Sequence, residues 1–264
     1  MSENNTSLLP DVIEPLSNAI HQNLPSTERE TDGALSTVVG FFNNVVLYPV
    51  KKANLTFKYK LEAFEDDLKV KTQHIPIENL QVPPTMIAGP TLEALRYAYD
   101  EAELREMYEN LLASAMDNRI ASEAHPAFVD AIKQMTPLDA KIINVISKKL
   151  IIRCAEIKFA IKNTNEVYSK AMPDYFATEL YGLGDPFLIS SSLINLERLG
   201  LIRITVTGIA GADYEEFKTH EYVISREKLF NYFGEEFILD IRKHAVVLNN
   251  YGAQFAKICL GKGG

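Results

Sequence analysis

Five histidines and two cysteines are the residues of this chain best suited to metal ligation or nucleophilic catalysis: His21, His74, His125, His220 and His244, with Cys154 and Cys259. No two of the histidines have the spacing that turns a pair of imidazoles onto one zinc ion. The cysteines are too few and too far apart in sequence for a zinc cluster or a disulfide framework. Both cysteines read as small apolar core residues of a protein kept in a reducing cytoplasm. His125 precedes Pro126 with no Cys, Ser or acidic partner in a recognised nucleophile motif nearby, so it reads as a capping or packing residue. No glycine-rich loop follows a strand in the way a phosphate cradle requires. The expectation is therefore a non-enzymatic protein with no catalytic, cofactor-binding or metal site.

The remaining chemistry lies in charge and surface. The chain has 264 residues and a net charge of −8. That charge is unevenly placed: Met1 to Thr136 holds 11 Lys and Arg against 20 Asp and Glu, and Pro137 to Gly264 holds 16 against 15. Neither half is basic, which disfavours a nucleic-acid partner, because such binding rests on neutralising phosphates. The apolar run Val38 to Val50 is interrupted by Asn43, Asn44 and Pro49 and is shorter than the ~20 residues that cross a bilayer, so no transmembrane segment is expected.

Three regions follow. Residues 1–32 carry six acidic residues against Arg29 alone, with Pro10, Pro15 and Pro25 breaking any long helix, and read as an acidic flexible arm. Residues 33–135 read as a helical domain. Leu35, Val38, Val39, Phe42, Val45 and Val46 recur at three- and four-residue spacing, and beyond Pro49 the stripe continues through Leu55, Tyr59, Phe64 and Leu68. Lysines 51, 52, 58, 60 and 69 lie opposite that stripe, although Glu62, Glu65, Asp66 and Asp67 interrupt the basic face. The prolines between Ile75 and Pro90 predict an extended connector, with a helix starting after Pro90. Asp100 and Glu103 then open a helix buried through Leu104, Met107, Tyr108, Leu111, Leu112 and Ala115. A short helix from His125 carries Phe128, Val129 and Ile132.

Residues 136–264 read as a winged-helix-like α+β domain, making the whole mainly α with a small β component. Thr136, Pro137 and Asp139 supply an N-cap, a first-turn proline and a third-position carboxylate for a helix whose core face is Ile142, Ile143 and Ile146. The alternation of Ala155, Ile157, Phe159 and Ile161 with polar neighbours predicts a half-buried strand, followed by a helix around Glu166 to Ala171. Serines 190 to 192 would cap a short helix lined by Leu193, Leu196 and Leu199, Gly200 would end it in a left-handed turn, and Leu201 to Thr207 would form a strand. A second strand at Glu221 to Ser225, beyond a loop at Gly208 to His220, would complete a wing, and strand His244 to Asn249 with helix Gly252 to Leu260 would close the domain.

In a DNA reader of this order the exposed face of the Ser190 helix would enter the major groove. Its exposed residues here are Ser190, Ser191, Asn195, Glu197 and Arg198, with one positive charge, and the loop holds Asp213, Glu215 and Glu216 against Lys218. Ser190, Ser191, Asn195 and Arg198 are accordingly candidates for contact with a protein, or for packing within the chain, more than for contact with DNA.

One resemblance rests on Ile75, Pro76, Pro83 and Pro90, then Glu103, Leu104, Arg105, Tyr108, Leu111, Leu112, Ala113 and Met116. It continues through His125, Pro126, Phe128, Val129, the Thr136 to Ala140 helix start, and Leu196 to Ile202. Over roughly Gly33 to Leu260 the chain resembles the abortive infection alpha family of bacterial proteins associated with phage resistance. The resemblance implies defence against phage and offers no family active site to carry over. The expected function is thus phage defence through interaction with a protein from host or phage, pairing with copies of itself included. A DNA-binding regulator and a membrane-surface effector using residues 38–69 are the alternatives.

Overall fold

The computed structural model describes residues 55–161, 167–168, 172–231 and 237–261. The expected acidic arm at 1–32, the apolar stretch 33–50 and, of the basic lysines, Lys51 and Lys52 lie outside the described residues. The fold is mainly α with a small antiparallel sheet, and the chain forms two compact units: the first takes residues up to Asp100 together with Tyr108–Val129, the second Glu101–Met107 and everything from Asp130.

The first unit is built from helix α1 (Leu55–Thr72), helix α2 (Thr85–Ala98) and the last turns of α3 (Ala102–Met116). Phe64 and Leu68 of α1, Leu92 and Leu95 of α2, and Leu111, Leu112 and Met116 of α3 are buried. The expected α3 stripe is present in full. α3 begins at Ala102, and Asp100 accepts from Lys60 Nζ at 2.5 and 2.6 Å.

The connector differs from expectation. A single 3₁₀ turn occupies Ile77–Asn79, and α2 starts at Thr85, upstream of Pro90, which it carries inside. An internal proline costs about 3 kcal/mol through its missing donor and ring clash. Starting the helix early buries Ile87 and Ala88 in register with Leu92 and Leu95, and each fully buried large aliphatic side chain returns about 1.5–3 kcal/mol.

Helix α4 (Ala127–Lys133) runs from the first unit into the second and opens with Ala127 N donating to His125 Nδ1 at 3.1 Å. The second unit then follows the expected capping signals closely. Helix α5 (Pro137–Lys149) opens on a full capping box, in which Asp139 N donates to Thr136 Oγ1 at 3.2 Å and Thr136 N to Asp139 Oδ2 at 2.7 Å. Ile142, Ile143 and Ile146 are buried.

Strand β1 (Ile151–Ile161) pairs along its whole length with β4 (Phe237–Leu248), from Ile151↔Val247 to Ile161↔Phe237. The two-residue β2 (Val167–Tyr168) pairs with the far end of β1, and β3 (Ile202–Ile204) pairs with the end of β4, giving the sheet order β2-β1-β4-β3. The helix expected around Glu166 to Ala171 is thus a strand where it is described. β3 is shorter than the expected Leu201 to Thr207, and β4 begins well before His244.

Both faces of β1 are covered. Ile152 and Cys154 are buried on one parity. On the other, Ala155, Ile157 and Phe159 join a core with Phe176, Tyr214, Phe217 and Val223. Those last three residues come from the segment between β3 and β4. It holds helix α7 (Glu216–Thr219) and helix α8 (Glu221–Asn231), so the strand expected at Glu221 to Ser225 is a helix. Tyr222 N donates to His220 Nδ1 at 3.2 Å at its start, and Arg226 reaches one turn back to Tyr222 Oη at 3.1 Å. These local bonds and the burial of Val223 favour the helical period.

Helix α6 (Pro186–Arg198) also starts earlier than the serines suggest. Asp185 is its N-cap, accepting from Phe187 N at 2.9 Å and Leu188 N at 3.3 Å, with Pro186 in the first turn. An Asp-Pro pair is a stronger start than three serines already inside a helical period. Gly200 ends the turn with φ 75°, as expected. Helix α9 (Asn250–Cys259) closes the unit, capped by Asn249 through Gly252 N at 2.8 Å.

Candidate interaction site

α6 divides cleanly into two faces. Ile189, Leu193 and Leu196 point inward and are fully buried, with Ser190 and Ser192 flanking them. At 100° per residue, the opposite face is Phe187, Leu188, Ser191, Ile194 and Arg198, with Asn195 at its edge. Phe187 is 39% exposed, Leu188 60% and Ile194 42%. The outer face of this helix is apolar along its middle, with Arg198 at its C-terminal end.

Of the four residues expected to make contact, Ser190 is buried, which corrects its placement on the outer face: its Oγ accepts from Tyr175 N at 3.0 Å. The earlier helix start rotates it toward the core. Ser191 is exposed at the centre of the outer face, and its hydroxyl donates to Phe187 O at 3.0 Å. Asn195 and Arg198 are committed within the chain. Asn195 Nδ2 donates to Gln134 O at 3.0 Å and to Asp139 Oδ2 at 3.1 Å, and its Oδ1 accepts from Arg198 Nη2 at 2.8 Å. Arg198 Nη1 donates to Gln134 Oε1 at 3.0 Å. The pair therefore pins α6 to the corner between α4 and α5. Glu197 is used as well, accepting from Ile204 N at 2.7 Å at the end of β3.

Phe187, Leu188 and Ile194 were missed by sequence reasoning, because a helix beginning at Ser190 leaves Phe187 and Leu188 outside it. The readable signal was Asp185-Pro186; once the helix starts there, the spacing 187, 191, 194, 198 marks one face.

The electrostatics offer no nucleophile at this face. Burial pushes the Cys154 and Cys259 thiols well above the ordinary cysteine range, so a thiolate is unavailable at neutral pH. On the far side of the sheet, burial opposes the charge of Arg153, but its bonds to Glu216 and Glu179 outweigh that and hold its pKa above the usual arginine value. Arg153 Nη1 also donates to Asp213 O at 2.7 Å, so one guanidinium clasps the α7 segment onto β1. A cleft of about 220 Å³ beside it, lined by Tyr214, Glu215, Lys218, Leu239, Ile241 and Lys243, has its lysines engaged: Lys218 with Glu215 at 2.7 Å, Lys243 over the Tyr214 ring at 5.4 Å. Among the described residues no group of three His, Cys, Asp or Glu could hold a metal ion, and no helix is long and apolar enough to cross a membrane.

The family model for abortive infection alpha matches residues 56–259, which span both units. The chain belongs to the abortive infection alpha family. That membership associates it with abortive infection, a phage-defence role. No curated protein matches the chain. Among solved structures it is similar to an uncharacterized protein from the hydrocarbon-degrading marine bacterium Alcanivorax borkumensis SK2, at 14% identity over 50% of this chain and 91% of that one, with a TM-score of 0.32.

Proposed function

We propose that this abortive infection alpha protein acts in phage defence by docking a protein partner on the outer face of α6, without catalysis of its own. The observation that carries the reading is the apolar stripe of Phe187, Leu188 and Ile194 on a helix whose other face is fully packed. Apolar side chains gathered on one exposed helix face are the usual mark of a helix that meets another protein.

The arrangement α5, β1, a 3₁₀ turn at Thr178–Leu183, α6, β3 and β4, with β4 between β1 and β3, supports a winged-helix description. DNA reading draws little support from it. The recognition position carries apolar residues where base and phosphate contacts are needed, and its one arginine is bonded to Gln134 and Asn195.

The test is a plating assay on cells carrying the gene, the gene with Leu188→Asp and Ile194→Asp, or neither. Protection by the native chain and its loss in the folded double variant is the expected result. Full protection by the double variant would refute docking through α6, and equal plating with and without the gene across a broad phage panel would remove the defence role.

A further inference from the structure

The turn from α5 into β1 carries a backbone conformation that its own side chain makes costly. Leu150 holds φ 65° and ψ −31°, a region that residues with a Cβ rarely adopt, yet it is 60% exposed. Ile151 beside it is 41% exposed. A glycine would take this turn without strain, and packing does not account for the leucine, because little covers it. An outlier held where the fold gains nothing from it points to a use outside the fold.

The surroundings give that use its chemistry. Lys148 and Lys149 precede the turn and are exposed. Ile151 stands opposite Val247 and Val247 opposite Arg203, so the three share one face at the end of the sheet. At about 4.8 Å between strands, Arg203 lies about 10 Å from Ile151. Val247 is half-buried and Arg203 exposed, so this end of the face stays open, whereas the segment with α7 and α8 covers it from Ala155 on. Among the described residues, Lys148, Lys149 and Arg203 have no bonded partner, while Glu179 and Glu216, the carboxylates that meet this face at Arg153, are already paired with it. Lysines in a last turn complement the helix dipole, but that does not call for two exposed apolar residues beside them. A protein partner would need a pocket for side chains that project, and a nucleic acid a track of cations without an apolar tip. A bilayer interface accepts the projection and supplies the negative charge. We infer that this end of the second unit meets anionic membrane surfaces, with Leu150 and Ile151 entering the headgroup region and Lys148, Lys149 and Arg203 meeting lipid phosphates. A single myristoyl chain gives only marginal binding and two side chains bury less, so the association is reversible, weak and sensitive to salt.

Flotation of the purified full chain with vesicles tests it. Binding is expected at low salt to vesicles of phosphatidylcholine and phosphatidylglycerol in equal parts, and is lost with phosphatidylcholine alone or at high salt. Each Lys or Arg near an anionic surface contributes about five-fold, so Lys148→Gln with Lys149→Gln should weaken binding about 30-fold. Leu150→Gly relieves the backbone and so keeps the fold, and it should weaken binding several-fold. Leu229→Ala, at another exposed leucine on α8, should leave binding unchanged. So should Leu188→Asp with Ile194→Asp, which keeps this test apart from that of the α6 face. A native chain that stays unbound at low salt overturns the inference. So does binding that neither Leu150→Gly nor the lysine pair weakens, which would place the contact elsewhere, such as residues 38–69. Binding weakened in the lysine pair but native in Leu150→Gly overturns it as well, because the contact is then charge adsorption without insertion. Phage protection lost in Leu150→Gly while the native chain binds no vesicle assigns the turn to a protein partner instead.

Discussion

Asn195 is the residue that best separates a holding role from a docking role. Replacing it with alanine removes two donations, to Gln134 O and to Asp139 Oδ2, and the acceptor that orients Arg198. Asp139 is 1% exposed and its carboxylate retains only the Thr136 N bond among those formed through Oδ2. A hydrogen bond to a buried charge contributes about 1.5–3 kcal/mol, and the neutral bond to Gln134 O about 1 kcal/mol. The bond to Gln134 O is exposed and that to Asp139 only part-buried, which discounts their sum, and Arg198 keeps Gln134 Oε1, so Asn195→Ala should destabilise the chain by about 2–3 kcal/mol. Urea unfolding followed by circular dichroism should show a lower midpoint with an unchanged slope. Leu188→Ala, at an exposed site, should stay within about 0.5 kcal/mol of the native chain. If Asn195→Ala unfolds at the native midpoint yet abolishes phage protection, Asn195 is a contact residue, and the account of α6 as pinned from inside is wrong.

Other substitutions probe the frame. A Cβ at Gly252 would lie 1.8 Å from Leu201 O, so Gly252→Ala should push α9 off the β3 turn and cost about 2–3 kcal/mol, read as a lower thermal midpoint. Leu150, 60% exposed, holds φ 65° at the end of α5; Leu150→Gly should relieve that backbone and raise stability by about 1 kcal/mol. The Arg119 bond holds the Asp117 carboxyl below its ordinary pKa, so its contribution is present above about pH 4 and lost as pH falls through the folded value. Asp117→Asn should therefore lower stability at neutral pH and flatten its fall in acid, checked by thermal midpoints across that range. Arg153→Met should speed amide exchange across Asp213 to Thr219, where the guanidinium clasps the segment.

Elements with one buried stripe and a strong start were readable in advance. α3 and α5 carry their apolar residues at helical spacing, α5 also behind a capping box that the structure forms, and the structure returns the same residues buried. β1 was readable from its alternation, because Glu156, Lys158 and Ala160 stay partly open while Ala155, Ile157 and Phe159 are buried. α8 was not readable: Val223 is its one fully buried side chain among those described, and β-branched residues at 223 and 224 imitate a strand. α2 was obscured by Pro90, whose local cost is overridden only by packing that sequence does not display. The start of α6 was hidden by three consecutive serines. That error moved the candidate site by one helical face, placing Ser190 outside and leaving Phe187 and Leu188 out of account.

The acidic segment between β3 and β4 has a structural use that its charge alone does not reveal. Asp213, Glu215 and Glu216 made it look like a wing that would repel phosphate. In the folded chain Glu216 holds Arg153 at 2.8 Å, Asp213 accepts from Glu215 N at 2.8 Å, and Glu215 pairs with Lys218 at 2.7 Å, so these charges serve the segment's own attachment. Tyr214, Phe217 and Val223, interspersed with them, close the core on the second face of β1. A segment spent on covering the sheet is not available as an extended wing, whatever its charge. With Asn195 and Arg198 bonded within the chain, the proposed docking on α6 rests on the exposed Phe187, Leu188 and Ile194 of that helix rather than on its polar residues.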